Sequence, residues 1–415
     1  MTWEECRRDF PILEQRIGSH PLCYLDNGAT TQLPEPVLRE MELQYHGYEA
    51  NVHRGIHYLS EASTRRMEDA REDIRRFLGA ASMDEIIFTS GCTAAINLVA
   101  RSLSFSGLTM GDEILVTQME HHSNFLPWQE ACRRTGAAFR VVPVLPDGRL
   151  DLERFSQMLT EQTRLVAITW VSNVTGCVNP VETIIHMAHQ KGALVLVDAS
   201  QAMRHVKMDV QALDCDFLCF SGHKMMGPTG TGILYGKRSV LERLEPETFG
   251  GGMVDLVGEM TSTYDELPYR LEAGTPNIAG NIGLGAAVRY LETIGIEAIS
   301  RREAQLLAQI RRKLSELPQV QLLGAGEMAG CLSFCMDGCS CYDAARLLSE
   351  LGAAVRSGTH CAQPYLAALG VNGTVRVSPA FYNTEEDLER FFSAMQRITG
   401  RLTKQRSNIR RRGHG

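Results

Sequence analysis

Six short runs rich in Val, Ile and Leu, separated by segments long enough for helices, constrain this chain most. They are EIIFTS (85–90), DEILVTQ (112–118), FRVVPV (139–144), RLVAITWVSN (164–173), ALVLVD (193–198) and DFLCFSG (216–222). None alternates cleanly between apolar and polar residues. A strand that is apolar on both sides must be covered on both faces, which is the situation of parallel strands in a layered α/β domain. Helices are expected over 94–103 and 181–191.

Beyond about residue 285 the pattern changes. A helical stretch over 282–317, broken near Gly295, precedes strand-like segments at 330–336, 353–356 and 374–378. A last helix is expected to start near Thr384, which caps an acidic first turn of Glu385, Glu386 and Asp387 suited to the positive end of the helix dipole. The expected organisation is an N-terminal segment (1–20) packing on the small domain, a large mostly parallel-sheet domain (21–285), a smaller α+β C-terminal domain (286–400) and a basic, disordered tail (401–415).

Charge and cysteine usage narrow the function classes. The net charge of −7 hides an asymmetry. The last fifteen residues carry six Lys/Arg and no acid, leaving 36 basic against 49 acidic residues over 1–400. An anionic body lacks the basic face that phosphate contacts require, so no nucleic acid is expected as a partner. No apolar run approaches the roughly 20 residues of a membrane helix, so no membrane association is expected either. The opening MTWEECRRDF has charges of both signs and no apolar core, unlike a signal peptide. With twelve cysteines and no such signal, reduced thiols in the cytoplasm are expected. No CxxC occurs, and the spacing of Cys331, Cys335, Cys339 and Cys341 matches no common zinc pattern, so no metal site is expected.

Three polar clusters end predicted strands, at the sheet edge where α/β domains bind ligands. Lys224, in Ser221-Gly222-His223-Lys224, follows an apolar strand and a small-residue turn. Desolvation there lowers an amine's pKa and makes it nucleophilic toward aldehydes. Asp198 ends ALVLVD. It suits a metal ligand, a helix cap, or the partner of a protonated pyridine nitrogen, with Gln201 three residues on to bond a ring oxygen. Ser90-Gly91-Cys92-Thr93 opens a helix and exposes N–H groups and the Thr93 hydroxyl to an anion, although an ordinary strand-to-helix turn has the same composition. Taken jointly, the three specify pyridoxal phosphate better than a nicotinamide, whose G-x-G-x-x-G fingerprint is absent.

Longer stretches then carry a resemblance. YLDNGATTQ (24–32), NVHRGIHYLS (51–60), QMEHHSN (118–124), VSNVTG (171–176), LVDASQA (196–202), FSGHKMMGPTGTGILYG (220–236), EAGTPN (272–277) and VRSGTHCAQP (355–364) resemble fold-type I pyridoxal-phosphate enzymes of the class V aminotransferase group. Within that group they are similar to cysteine desulfurases of the SUF iron–sulfur assembly type (group II) and to selenocysteine lyases. The resemblance runs from about Phe10 to about Arg397.

It implies a fold-type I transferase in which Lys224 forms the covalent link to the cofactor, Asp198 holds the pyridine nitrogen and Gln201 the phenolic oxygen. His121 would stack on the ring and exchange protons, and Asn173 would lie beside cofactor and substrate. Thr93, Ser221 and His223 would hold the phosphate, joined by Thr275 from the second subunit of a homodimer. Arg376 would clamp the substrate carboxylate, with Arg356 and His53 completing the substrate pocket. Cys361, on a mobile loop, would accept sulfur from L-cysteine as a persulfide. The resemblance also implies a small sulfur-acceptor protein of the SUF system. L-selenocysteine is an alternative substrate; another class V activity would need no Cys361, and the complete set of Lys224, Asp198, His121 and Arg376 argues against a silent scaffold. Three positions depart from the family pattern: Thr359 stands where His is frequent, Ala94 where Glu is, and Cys92 where a hydroxyl residue is.

Overall fold

The computed structural model describes residues 2–412. Its large domain is built on a seven-stranded sheet. We number the strands β1 (Ile86–Thr89), β2 (Glu113–Thr117), β3 (Ala138–Val142), β4 (Thr163–Thr169), β5 (Leu194–Asp198), β6 (Phe217–Ser221) and β7 (Gly232–Gly236), in the spatial order β1-β7-β6-β5-β4-β2-β3. The six expected strands are all present. From β6 through β5, β4 and β2 to β3 every pairing is parallel. The seventh strand, β7, was not anticipated. It runs antiparallel to both β1 and β6. Its apolar run ILY is as continuous as those of its neighbours, and nothing local in such a run encodes strand direction.

The continuous apolarity is used on both faces. Val195 and Val197 of β5 join a core with Ile184 and Ile185 from one helical layer. Leu196 between them joins a second core with Ile96, Val99 and Trp128 from the other. Successive side chains of a strand point to opposite faces. Each such fully buried residue contributes roughly 1.5–3 kcal/mol.

The smaller domain has an antiparallel sheet of β8 (Val320–Leu323), β9 (Leu332–Met336), β10 (Arg356–Gly358) and β11 (Thr374–Val377), in the order β8-β9-β11-β10. Strand β8 was also unexpected. The segment read as one strand at 353–356 is divided. Ala353–Ala354 pairs in parallel with Cys23–Tyr24, and Arg356 begins β10.

The cores do not divide sharply at the expected limits of 21 and 285. Helix Ile278–Ile294 is buried without interruption from Ile278 to Val288, with Ala286, Val288 and Leu291 inside the large-domain core. Gly295 breaks the helix as expected, at φ 92°. The following helix, Ile296–Ser315, gives Ile296 and Ile299 to the large core but Leu306, Leu307, Ile310 and Leu314 to the small one. Cys23 and Leu25 also belong to the small-domain core. The N-terminal segment packs at the junction rather than on the small domain alone. The Phe10 ring lies 4.4 Å from that of Tyr382 and 6.1 Å from that of Tyr290.

The last helix spans Glu385–Arg412, with Thr384 Oγ1 accepting from Asp387 N as the capping pattern required. It extends through most of the stretch expected to be a disordered tail. Leu402 to Arg412 contain no Gly or Pro to stop a helix. Residues 413–415 of that tail lie outside the described residues.

Candidate active site

Strand ends deliver the floor of a cavity of about 300 Å³. Asp198 closes β5, Ser221 closes β6, and the next turn, Gly222–Lys224, carries His223 and Lys224 into the cavity wall. Helix Cys92–Ser106 begins at the same edge, so Cys92 and Thr93 join them. That helix starts two residues before the expected Ala94. Gly91 takes φ 148°, and its Cα would lie 2.5 Å from a Cβ placed on Gly232. Two glycines are needed for this approach. The remaining wall is His121, Asn173, Gln201, Arg356 and Arg376, together with Gly28, Ala29, Ser123, Ser200 and His360.

Of the expected site residues, Lys224, Asp198, Gln201, His121, Asn173, Thr93, Ser221, His223, Arg356 and Arg376 are gathered. Two are not. His53 lies on the exposed segment 53–59, its ring 4.8 Å from that of Tyr269 and 3.8 Å from Glu68. Thr275 is exposed in the 272–277 turn. Neither lines the cavity of its own chain.

The electrostatics suit proton transfer. Crowding by protein lowers the Lys224 ammonium pKa, opposed by the nearby Asp198 carboxylate. Burial, and then the Lys224 charge, bring the His121 imidazole down to about 4, so the ring is neutral at pH 7. Its Nδ1 accepts from Ser123 N at 3.1 Å, which places the neutral ring's proton on Nε2. Behind His121 sits Glu120, fully buried, accepting from Thr117 Oγ1 at 2.7 Å and Asn124 Nδ2 at 2.6 Å. Burial pushes its carboxyl up to about 8.

Arg376 is 2% exposed. Its Nη1 donates to Asn173 O at 2.8 Å and its Nη2 to Asp26 Oδ1 at 3.1 Å, while its buried Nε has no hydrogen-bond partner among the described residues. A buried guanidinium donor without an acceptor costs stability unless a ligand supplies one. Gly28 leaves room for this: a Cβ there would lie 3.2 Å from Arg376 Cζ.

Cys361 is half-buried, one residue beyond the cavity-lining His360. Its loop is more firmly held than the expected mobile one. His122 N donates to Cys361 O at 2.7 Å, Asn173 Nδ2 donates to His360 O at 2.7 Å, and His360 Nε2 meets Thr374 Oγ1 at 2.7 Å. His360 and Cys361 both take left-handed backbone angles, φ 51° and 54°. Such angles in non-glycine residues persist only where surroundings enforce them.

The model of one family, "Aminotransferase class-V", matches residues 23–391. The chain belongs to this family. Similar proteins include a probable cysteine desulfurase of Halalkalibacterium halodurans, 47% identical over 397 residues that cover 96% of this chain and 98% of the relative. A cysteine desulfurase of Enterobacter sp. is 46% identical, covering 95% and 98%. Among solved structures, the apo cysteine desulfurase of Thermococcus onnurineus NA1 superposes with a TM-score of 0.91 at 39% identity, covering 96% of this chain and 98% of that one. The Escherichia coli cysteine desulfurase CsdA gives 0.90 at 37% identity, covering 97% and 99%.

As a class V enzyme the chain has pyridoxal phosphate as its cofactor, and the cavity fits it. The Lys224 amine faces the cavity with no hydrogen-bond partner among the described residues, Asp198 stands at the floor, and Thr93, Ser221 and His223 supply hydroxyl and imidazole groups at the helix start. Sequence reading missed Asp26, Glu120 and His360. All three lie inside the quoted stretches YLDNGATTQ, QMEHHSN and VRSGTHCAQP, and Glu120 and His360 stand beside His121 and Cys361, but nothing in the sequence tells which of these side chains turns toward Arg376 or toward the core.

Proposed function

We infer that this chain is a cysteine desulfurase that moves the sulfur of L-cysteine onto Cys361 and releases L-alanine. The observation that carries this reading is the unpaired, buried Nε of Arg376 in the same cavity wall as Lys224, with Cys361 one residue beyond that wall. Pyridoxal phosphate, when bound, supplies an electron sink for the negative charge that develops at the substrate α-carbon. The residues do the rest. Arg376 offers Nε and Nη2 to the substrate carboxylate, a planar fork matched to two oxygens. Asp198 holds a proton at the cofactor's ring nitrogen. Lys224 Nζ, its pKa lowered, removes the α-proton. The Cys361 thiolate attacks the substrate sulfur, the carbon–sulfur bond breaks, and His121 Nε2 or Lys224 Nζ returns protons to the three-carbon product. In sum, L-cysteine and the Cys361 thiol become L-alanine and the Cys361 persulfide.

The short stretch between Arg356 and Arg376 supports the SUF-type, group II subclass, with sulfur passing from Cys361 to a small acceptor protein for iron–sulfur assembly in the cytoplasm. The exposure of His53 and Thr275 outside their own chain's cavity supports a homodimer in which each copy completes the other's site.

The test is Cys361→Ala with L-cysteine, reading alanine and protein-bound sulfane sulfur. The variant keeps the yellow colour of the bound cofactor but forms no persulfide, and its alanine output falls below about one-hundredth of wild type, in keeping with loss of a nucleophile. Undiminished alanine output removes Cys361 from the scheme.

A further inference from the structure

Under the cavity floor three ligand-bearing side chains converge that sequence spacing does not connect. Cys92 Sγ lies 3.4 Å from Asp198 Oδ1 and 3.3 Å from Cys219 Sγ. Cys92 opens a helix, Asp198 ends β5 and Cys219 is in the middle of β6. Their ligand atoms all lie within 4.8 Å of one another, and no other set of three among the described residues does so. The half-buried thiols Cys335, Cys339 and Cys341 do not meet that condition.

We propose that in the cofactor-free enzyme Cys92, Asp198 and Cys219 form a three-ligand site for a thiophilic divalent cation of the zinc class, so that metal and pyridoxal phosphate compete for one carboxylate.

The dimensions favour this. Tetrahedral bonds of about 2.3 Å to sulfur and about 2.0 Å to oxygen put two sulfurs about 3.8 Å apart and a sulfur and an oxygen about 3.5 Å apart. Two of the three edges, at 3.3 and 3.4 Å, need to open by no more than about half an ångström to reach those values, and the third, from Asp198 to Cys219, lies within 4.8 Å. The three side chains are buried: Cys92, Asp198 and Cys219 are 4%, 5% and 0% exposed. The donor set of two thiols and a carboxylate is borderline-soft, matching zinc or cadmium rather than magnesium or calcium. Cys92 and Asp198 line the cavity while Cys219 lies behind them, so a cation among the three keeps its fourth position open toward the cavity. Binding converts both thiols to thiolates and releases their two protons to solvent. The complex then carries one net negative charge, next to the Lys224 ammonium, which already interacts with Asp198 and Cys92. When the cofactor is bound, Asp198 would, as proposed above, be engaged with its ring nitrogen, and the ligand set would be incomplete. The proposal stands independently of the role of Cys361.

The test uses the full-length chain in cofactor-loaded and cofactor-stripped forms, titrated with Zn²⁺ alone and Cd²⁺ alone. The stripped form is expected to take up one tightly held equivalent more than the loaded form, and added pyridoxal phosphate should displace it. Cys219→Ala and Cys92→Ala should each lose that equivalent, with affinity at least 100-fold weaker. Zinc-edge absorption spectroscopy on the wild type needs no variant and should show two sulfur ligands plus oxygen or nitrogen. Equal uptake by loaded and stripped enzyme, uptake unchanged in both variants, or a shell of three or four sulfurs or of none overturns the proposal. Uptake at Cys361 or at the 335–341 thiols would register as unchanged uptake in the two variants.

Discussion

The two side chains proposed to react, Lys224 and Cys361, are held in opposite ways. Lys224 stands on a turn directly after a central strand of the large sheet. Its backbone carbonyl accepts from Arg204 Nε at 3.0 Å, and the carbonyl before it, of His223, accepts from Thr31 N at 2.8 Å. Arg204 is itself paired with the buried Glu303. Cys361 stands on a small-domain loop whose position depends on three polar contacts to residues 122, 173 and 374. The lysine's place follows from a hydrophobic sheet that cannot shift without disturbing two cores. The cysteine's place follows from hydrogen bonds that each contribute only about 0.5–1.5 kcal/mol net. If Lys224 and Cys361 act as proposed, the proton chemistry rests on the sheet and the sulfur acceptor on a few hydrogen bonds.

The sharpest break of this contrast is Lys224→Ala. Alanine formation should fall by at least about 10³-fold, within the usual range for loss of a general base plus the covalent anchor. The absorbance of the lysine-linked cofactor should vanish, and borohydride should no longer fix cofactor to the chain. Retained turnover would place the proton chemistry elsewhere.

Asp26→Asn probes the arm that reaches in from the small domain. Losing the charged acceptor for Arg376 Nη2 should raise the KM for cysteine about tenfold, as expected for a charge-assisted hydrogen bond, with a smaller change in kcat. A drop in kcat at constant KM would contradict the clamp role.

Thr374→Val addresses the loop. It removes the hydroxyl that meets His360 Nε2, at an expected cost of a few-fold in the rate of persulfide formation, measured in a single turnover. Cofactor binding should be untouched. A change in the cofactor spectrum instead would show that the loop and the floor are one rigid unit.

The smallest effect concerns Glu120. Its folded-state pKa of about 8 lies above the ordinary 4.5, so the folded protein holds a proton that the unfolded chain gives up. That stabilisation is present at low pH and is lost as pH rises from about 4.5 toward 8. Glu120→Gln should flatten this part of the pH dependence of thermal stability while leaving stability near pH 5 almost unchanged. An equal slope in wild type and variant would assign it to other groups.

Much of the site was legible before any coordinates. Lys224, Asp198 and Thr93 follow predicted strands, and strand ends in α/β sheets converge on one edge. Arg376, His121 and Asn173 came from the resemblance, and the fold places all three in the cavity. Four matters were hidden. The direction of β7 was hidden because a run apolar on both faces looks the same in either direction. The domain limit was hidden because one helix, Ile296–Ser315, serves two cores. His53 and Thr275 carry family motifs yet lie outside their own chain's cavity. The anchoring of the Cys361 loop depends on residues up to 239 positions away.

Local pattern therefore determined which segments are strands and helices, and which strand ends bear chemistry. Periodicity and side-chain type act over a few residues and survive in the chain alone. Tertiary structure alone decided that Asp26 meets Arg376, that Cys219 lies against Cys92 and Asp198, and that Glu120 is driven neutral. Each of those outcomes rests on distances of a few ångströms between residues far apart in sequence, and on the low dielectric that exists only once the core has closed around them.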